Sequence, residues 1–241
     1  MATDEMAGTG CEPPTNGATP TSSSTDTRRS RSRPSAEAYS PDSPVFRSRV
    51  EIARIPPCYR RAKLDDLVTE NTWEKLMIDG CRQWLADQQY LKRGNAANWV
   101  YIYGGPGTGK TYAVCALAVE CIRRRVWPVR FWPVPELFRA IAEGFRRDEA
   151  AAREAFDLAV ACEVLVLDDI GAERDSAWTG EQLYLLLNHR DGAGLPTLIT
   201  SSGSLSDLAI RFSERAASRI AGRVKPPREV IGRDRRKDGA T

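Results

Sequence analysis

The sequence predicts an α/β fold, a parallel sheet with helices on both faces. Three observations carry this reading. A strand-like run from Val100 to Tyr103 leads into a Gly-rich loop and then a helix. A second apolar run, Val164 to Leu167, ends on the paired acids Asp168 and Asp169. Around these two, short β-prone runs alternate with helical ones, the pattern of a parallel sheet covered on both sides.

The loop is the most specific element. Gly104, Gly109, Lys110 and Thr111 fit G-x-x-x-x-G-K-[ST]. Glycines let the backbone turn tightly and aim successive N–H groups inward, an anion nest at a helix N-terminus. The candidate nucleotide contacts are Gly105, Pro106, Gly107, Thr108, Gly109, Lys110, Thr111 and Tyr112. Lys110 is placed to reach the β- and γ-phosphates, and the Thr111 hydroxyl to ligate Mg²⁺. In the second run the acids emerge at the C-terminal edge of the sheet, where open α/β sheets bind ligands. Asp168 is the candidate Mg²⁺ holder and Asp169 the group that positions or deprotonates water.

Composition bounds the rest. With 41% hydrophobic residues the chain can fill a core, and a net charge of +3 does not by itself indicate a nucleic-acid partner. The basic excess lies late, with ten Arg or Lys against five acids from Ser206 to the end. The six cysteines form no C-x-x-C pair, and one histidine gives them no zinc partner set, so free thiols in a reducing compartment are expected. No apolar run approaches a membrane span and no secretory leader is seen, so a cytoplasmic protein is expected.

In chain order, residues 1–48 are rich in Ser, Thr, Pro and Gly, with Arg28, Arg29, Arg31 and Arg33 clustered, and read as a disordered tail. An ordered domain is expected over 49–233 and a basic tail over 234–241. Arg54 to Leu67 is a Pro-punctuated lead-in that brings Ile55, Tyr59 and Leu64 to the domain. Asn71 and Glu74 have the spacing of an N-cap and its partner. Trp73, Leu76, Met77, Cys81, Trp84, Leu85 and Leu91 then give an amphipathic helix over 72–92 with an aromatic core stripe. A helix follows the loop, a strand is expected over Val129 to Trp132, and one or two helices over Pro135 to Ala161. Leu183, Leu186 and Leu187 mark another helix, and Leu195 to Thr200 another strand, ending in Ser201 and Ser202.

Taken together, these pieces resemble the AAA+ ATPases of the DnaC/DnaI-type helicase loaders, with IstB-type transposase helpers as near relatives. The likeness rests on I-P-P-x-Y-R, G-G-P-G-T-G-K-T, L-D-D-I-G-A-E, L-x-x-L-L-N-H-R, L-P-T-L-I-T-S-S, E-R-A-A-S-R-I and the final G-R-D-R-R. It implies a P-loop NTPase sheet with the lid domain reduced or absent, and ATP with Mg²⁺ as cofactors. It implies Ser202 as the sensor after the fourth strand, and Arg219 as an arginine finger reaching a neighbouring subunit, with Arg215 competing. Arg235 or Arg236 takes the second sensor position. Partners implied are further copies in a ring or spiral, a replicative DNA helicase or a transposase, and single-stranded DNA. Phe145, Arg146, Arg147 and Arg174 are positional candidates for the DNA contact. The alternatives are an IstB-like transposition helper ATPase and, because Asp169 stands where many relatives carry Glu and Ser202 where Asn is usual, a slowly hydrolysing nucleotide-gated assembly module.

Overall fold

Val100–Gly104 (β1), Val129–Pro133 (β2), Val164–Ile170 (β3), Thr197–Ser201 (β4) and Arg228–Val230 (β5) form one sheet in the order β2-β3-β4-β1-β5. All four pairings are parallel. This computed structural model describes residues 39–87, 98–126, 128–147, 150–172, 176–224 and 228–235. The order matters for the site. β4 lies between β1, which carries the Gly-rich loop, and β3, which carries the acids, so the end of β4 opens between them.

Strand alternation divides the core in two. Val100 and Ile102 of β1, Val164 and Val166 of β3 and Leu198 of β4 face one layer. That layer contains Pro44–Ile52 (α1), Thr72–Asp87 (α2) and Lys110–Arg123 (α3). Tyr101, Leu165, Leu167 and Ile199 face the other. There they meet Val134–Arg147 (α4), Ala150–Ala161 (α5), Ala177–Gly192 (α6), Leu205–Arg211 (α7) and Glu214–Arg223 (α8). Both faces are buried, which is why the central strands read as continuous apolar runs. α3 buries nine residues, from Ala113 to Ile122, and so is the central helix of its layer.

The structure corrects several expectations. The boundary expected at residue 48 falls inside α1, which the Ser43 hydroxyl caps by accepting from Phe46 N–H at 3.0 Å. Only Phe46 and Val50 of that helix are buried, too few to stand out in a Ser/Pro-rich stretch. Residues 1–38 lie outside the described residues. α2 ends at Asp87, and Leu91 falls in the undescribed 88–97. Its buried stripe is Met77, Ile78, Cys81, Trp84 and Leu85, whereas Trp73 and Leu76 are more than 40% exposed. β3 does not stop at the acids but runs through them to Ile170. β5 had no sequence signal, since three residues are too few to show a period. Leu158 of α5 and Cys58 are exposed as well.

Candidate nucleotide site

At the end of β1 the chain must pass β5 closely. A Cβ on Gly104 would collide with the Val230 carbonyl, so the loop begins with the one residue that fits. The loop then curls around its own lysine. Lys110 Nζ donates to the carbonyls of Gly104 at 2.9 Å and Gly105 at 2.6 Å, and the buried Thr108 hydroxyl donates to Gly105 at 3.0 Å. α3 starts at Lys110, with Gly109 as its N-cap. The first-turn N–H groups of α3 therefore open toward the pocket, and it has no acidic residue in its first turn.

A cleft of about 300 Å³ lies over this loop. Residues 107–112 form one wall, Tyr59, Asp66 and Leu67 of the lead-in form the other, and Arg235 closes one end. Gly105 and Pro106 belong to the loop but do not line the cleft. Tyr112 stands edge-on to Tyr59 with ring centres 5.9 Å apart, and its hydroxyl donates to Asp66 at 3.2 Å. Burial raises the Tyr112 hydroxyl above its ordinary range, so it remains a donor.

The acids sit on a bulge. β3 and β4 shift register between Leu167 and Ile170, and Asp169 adopts a φ of 60°. This turns the Asp169 side chain out into solvent while Asp168 stays half-buried. Thr200, at 1% exposure, joins them. Its hydroxyl donates to Asp168 Oδ1 at 2.7 Å and accepts from Asp169 N–H at 2.8 Å. Asp168 also hydrogen-bonds the Thr111 side chain. Its carboxyl is pushed above the ordinary carboxylate range, chiefly by burial, with Asp169 adding to the shift. The Thr200 and Thr111 hydroxyls and Lys110 pull the other way.

Thr111 and Asp168 thus place two hard oxygen donors side by side. Among the described residues no three His, Cys, Asp or Glu side chains gather as a metal cage. Mg²⁺ does not require one, because it keeps waters and binds through one or two protein groups plus phosphate oxygens. The donor set fits Mg²⁺.

The other candidates separate into three groups. Ser202 is exposed on the turn after β4, across from Gly171, and the contact to the acids is made by Thr200 instead. Arg235 lies on the loop. Its N–H donates to the Gly107 carbonyl at 3.2 Å, and its guanidinium pairs with the buried Glu74 at 2.8 Å and donates to the Val68 carbonyl at 2.5 Å. Asp234 packs directly over Gly107, whose φ of 71° and absent side chain make room for it. Arg236 lies outside the described residues, as does Arg174. Phe145, Arg146 and Arg147 fall on α4, but their side chains are likewise undescribed.

Arg219 and Arg215 line a different cleft, between α6 and α8, which shares no residue with the first. Arg219 pairs with Asp191 at 2.9 Å, and the Arg215 guanidinium lies 5.7 Å from the Tyr184 ring centre. Sequence reasoning passed over Asp191, read Thr200 only as the end of a strand, and read the buried Glu74 only as a helix-cap partner. A polar residue in the otherwise apolar L-I-T of β4 was the available signal for Thr200.

Comparison with known proteins bears on the fold and the family. The family model described as IstB-like ATP binding protein matches residues 78–221, more than half of the chain. The phage-like element PBSX protein XkdC of Bacillus subtilis is 30% identical over 144 residues, covering 58% of this chain and 52% of that protein. The replicative helicase loader DnaI of Bacillus subtilis is 30% identical over 115 residues, covering 47% and 36%. Escherichia coli DnaC, also a replicative helicase loader, is 23% identical over 135 residues, covering 55% and 54%. The chain spans between about a third and just over half of the length of these relatives. A crystal structure of DnaI superposes with a TM-score of 0.65 at 28% identity, over 73% of this chain and 95% of that one. A crystal structure of DnaC shares the fold, at a TM-score of 0.62 and 22% identity over 73% and 100%.

Proposed function

The chain belongs to the family of IstB-like ATP binding proteins, and on that premise we propose that it is an ATP-hydrolysing replication protein of helicase-loader type. ATP and Mg²⁺ sit between copies of the chain assembled in a ring or spiral. The assembly holds single-stranded DNA while a replicative helicase is placed on it. Kinship with DnaI and DnaC supports the helicase as partner. The matching family model keeps a second reading, a transposition helper that recruits a transposase.

The observation that carries the hydrolytic part is the connected set from Lys110 and Thr111 through Asp168 and Thr200 to Asp169. In this reading Lys110 leaves its loop carbonyls for the β- and γ-phosphates. Thr111 and Asp168 would hold Mg²⁺, which would supply neutralising charge to the phosphates. Asp169, exposed at the sheet edge, orients the attacking water, and Thr200 keeps the two acids apart on the bulge. Tyr59, Leu67 and Tyr112 cover the base, and Arg235 approaches from the C-terminal segment. Arg219 enters a neighbour's site, where charge developing in phosphoryl transfer favours a rigid, bidentate cation.

Binding and turnover measured side by side test this. Lys110→Ala is expected to abolish ATP binding. Asp169→Asn should keep binding and lose turnover by about 10²-fold, the scale of one general base. Wild-type protein already as slow as Asp169→Asn would make the chain a nucleotide-gated assembly module. Capture with tagged protein and ATP then decides between helicase and transposase.

A further inference from the structure

Asp191 is an odd choice for its position. It lies in the last turn of α6, where the helix dipole disfavours a carboxylate. Its side chain is 16% exposed, and both oxygens are engaged from α8. Oδ2 accepts from Arg219 at 2.9 Å, and Oδ1 accepts from Arg223 Nε. Arg223 also donates to the Asp191 backbone carbonyl at 2.6 Å. Arg223 thus grips side chain and backbone together and holds the carboxylate in one rotamer. Arg215, Arg219 and Arg223 recur every fourth residue on one face of α8, and Asp191 engages the last two of them.

We propose that Asp191, fixed from behind by Arg223, is the positioning residue that presents Arg219 to a neighbouring subunit. The inference rests on the reading of Arg219 as the finger. A guanidinium carries five N–H donors. Asp191 uses one edge, the Tyr184 side chain bonds the group as well, and 43% of the Arg219 side chain remains exposed. Such a group is held in direction yet open on its outer edge. An arginine that must be ordered on reaching a phosphate loses rotamer freedom at that moment, whereas one already anchored has lost it beforehand. The pair is open to solvent on its arginine side, where Arg219 can offer its outer donors to a phosphate in strong charge-assisted bonds. Among the described residues, Arg215 rests against the Tyr184 ring and has no carboxylate anchor of this kind in the cleft.

The test measures kcat and KM for ATP at assembling concentration, with thermal midpoints, in wild type, D191N, R219A and the double variant. D191N should lower kcat by about three- to ten-fold, the range for ordering one long side chain, and leave KM unchanged because Asp191 is remote from its own chain's ATP cleft. In the R219A background D191N should cost nothing further. R223Q, which leaves Asp191 present but ungripped, should show a smaller loss in the same direction. Turnover by D191N equal to or above wild type overturns the inference, as does the same loss with and without Arg219, which marks a structural role. R219A without effect overturns the finger reading and this inference together, whereas R219A defective beside an intact D191N overturns this inference alone.

Discussion

Asp168 is kept half-buried beside a second carboxylate, and the fold is less stable for it. Because burial raises its carboxyl above the usual value, the folded chain holds this proton more tightly than the unfolded chain does. The contribution to stability is therefore fully present below the unfolded pKa and is lost as pH rises through the folded one. At neutral pH the ionised group opposes folding, offset in part by the Thr200 and Thr111 hydroxyls and Lys110. Asp168→Asn keeps an oxygen for Thr200 and removes the charge. It is expected to raise stability at pH 7 by roughly 0.5–1 kcal/mol, a gain of the size seen when a strained active-site group is relieved. The gain should shrink as pH falls through the raised folded value and be gone by about pH 4, the unfolded value, where the wild-type carboxyl is protonated as well. Thermal scans at both pH values check this, and a destabilised variant at pH 7 would show that the hydrogen bonds outweigh the burial. Thr200 supports the same arrangement from β4, and its single hydroxyl explains how Asp169 tolerates a left-handed backbone. The bulged N–H at that residue is paired although the strand ladder is broken there.

Among the elements, α2 links the most distant parts of the sequence. Asn71 caps it as its spacing with Glu74 suggested, accepting from Glu74 N–H at 3.0 Å. Glu74 goes further than a cap partner. Its Oε2 accepts from Glu70 N–H at 2.7 Å and from Arg235 at 2.8 Å, joining the start of α2 to the segment that lies on the phosphate loop. Glu74→Ala leaves Arg235 without its carboxylate partner at a quarter-exposed position. A loss of roughly 1–3 kcal/mol is expected, below the full cost of breaking a buried pair because Arg235 still meets water. ATP affinity should fall several-fold with it, and denaturant unfolding beside calorimetric titration separates the two effects. Unchanged affinity in a destabilised variant would limit Arg235 to a structural role. What was legible beforehand follows element length and locality. The strand, loop and helix around Lys110 were readable because apolar run, glycines and helix start are contiguous. The acids on β3 were readable for the same reason, but the bulge was not, since it depends on the register with β4. Asp191 and the Glu74 link to Arg235 were passed over because these partners lie 28 and 161 positions away. Trp73 and Leu76 were assigned inward because helical spacing fixes a shared face and not which neighbour covers it. α1 and β5 were missed because they contribute too few buried residues to leave a pattern.

At the scale of the whole molecule, one sheet divides the interior into two apolar layers, and the cysteines sample both. Cys81, Cys115 and Cys121 lie in the layer of α2 and α3, and Cys162 in the layer of α4, α5 and α6. All four are buried, with the sulfur in the thiol form. Burial raises each of the Cys115, Cys121 and Cys162 thiols, Cys121 to about 12, so thiolate forms only when the surroundings open. Cys58 alone among the described cysteines is exposed, one residue before Tyr59 of the nucleotide cleft. Neither layer has a second surface to rest on if the other is lost, because the same strands form a wall of both. The layers should therefore unfold together in one cooperative transition. Arg190 strengthens the expectation. It is fully buried between α5 and β4, donating to the carbonyls of Ala159, Cys162 and Pro196, and so ties the helix layer to the sheet. In a Cys11→Ser background, a thiol reagent should modify Cys58 within the native state, more slowly when ATP occupies the neighbouring cleft. Across a urea series, Cys115, Cys121 and Cys162 should become reactive at one common midpoint, read residue by residue by mass spectrometry of digested protein. Labelling of Cys162 at lower urea than Cys115 would show that the α4–α6 layer detaches first and that the shared sheet does not couple the two.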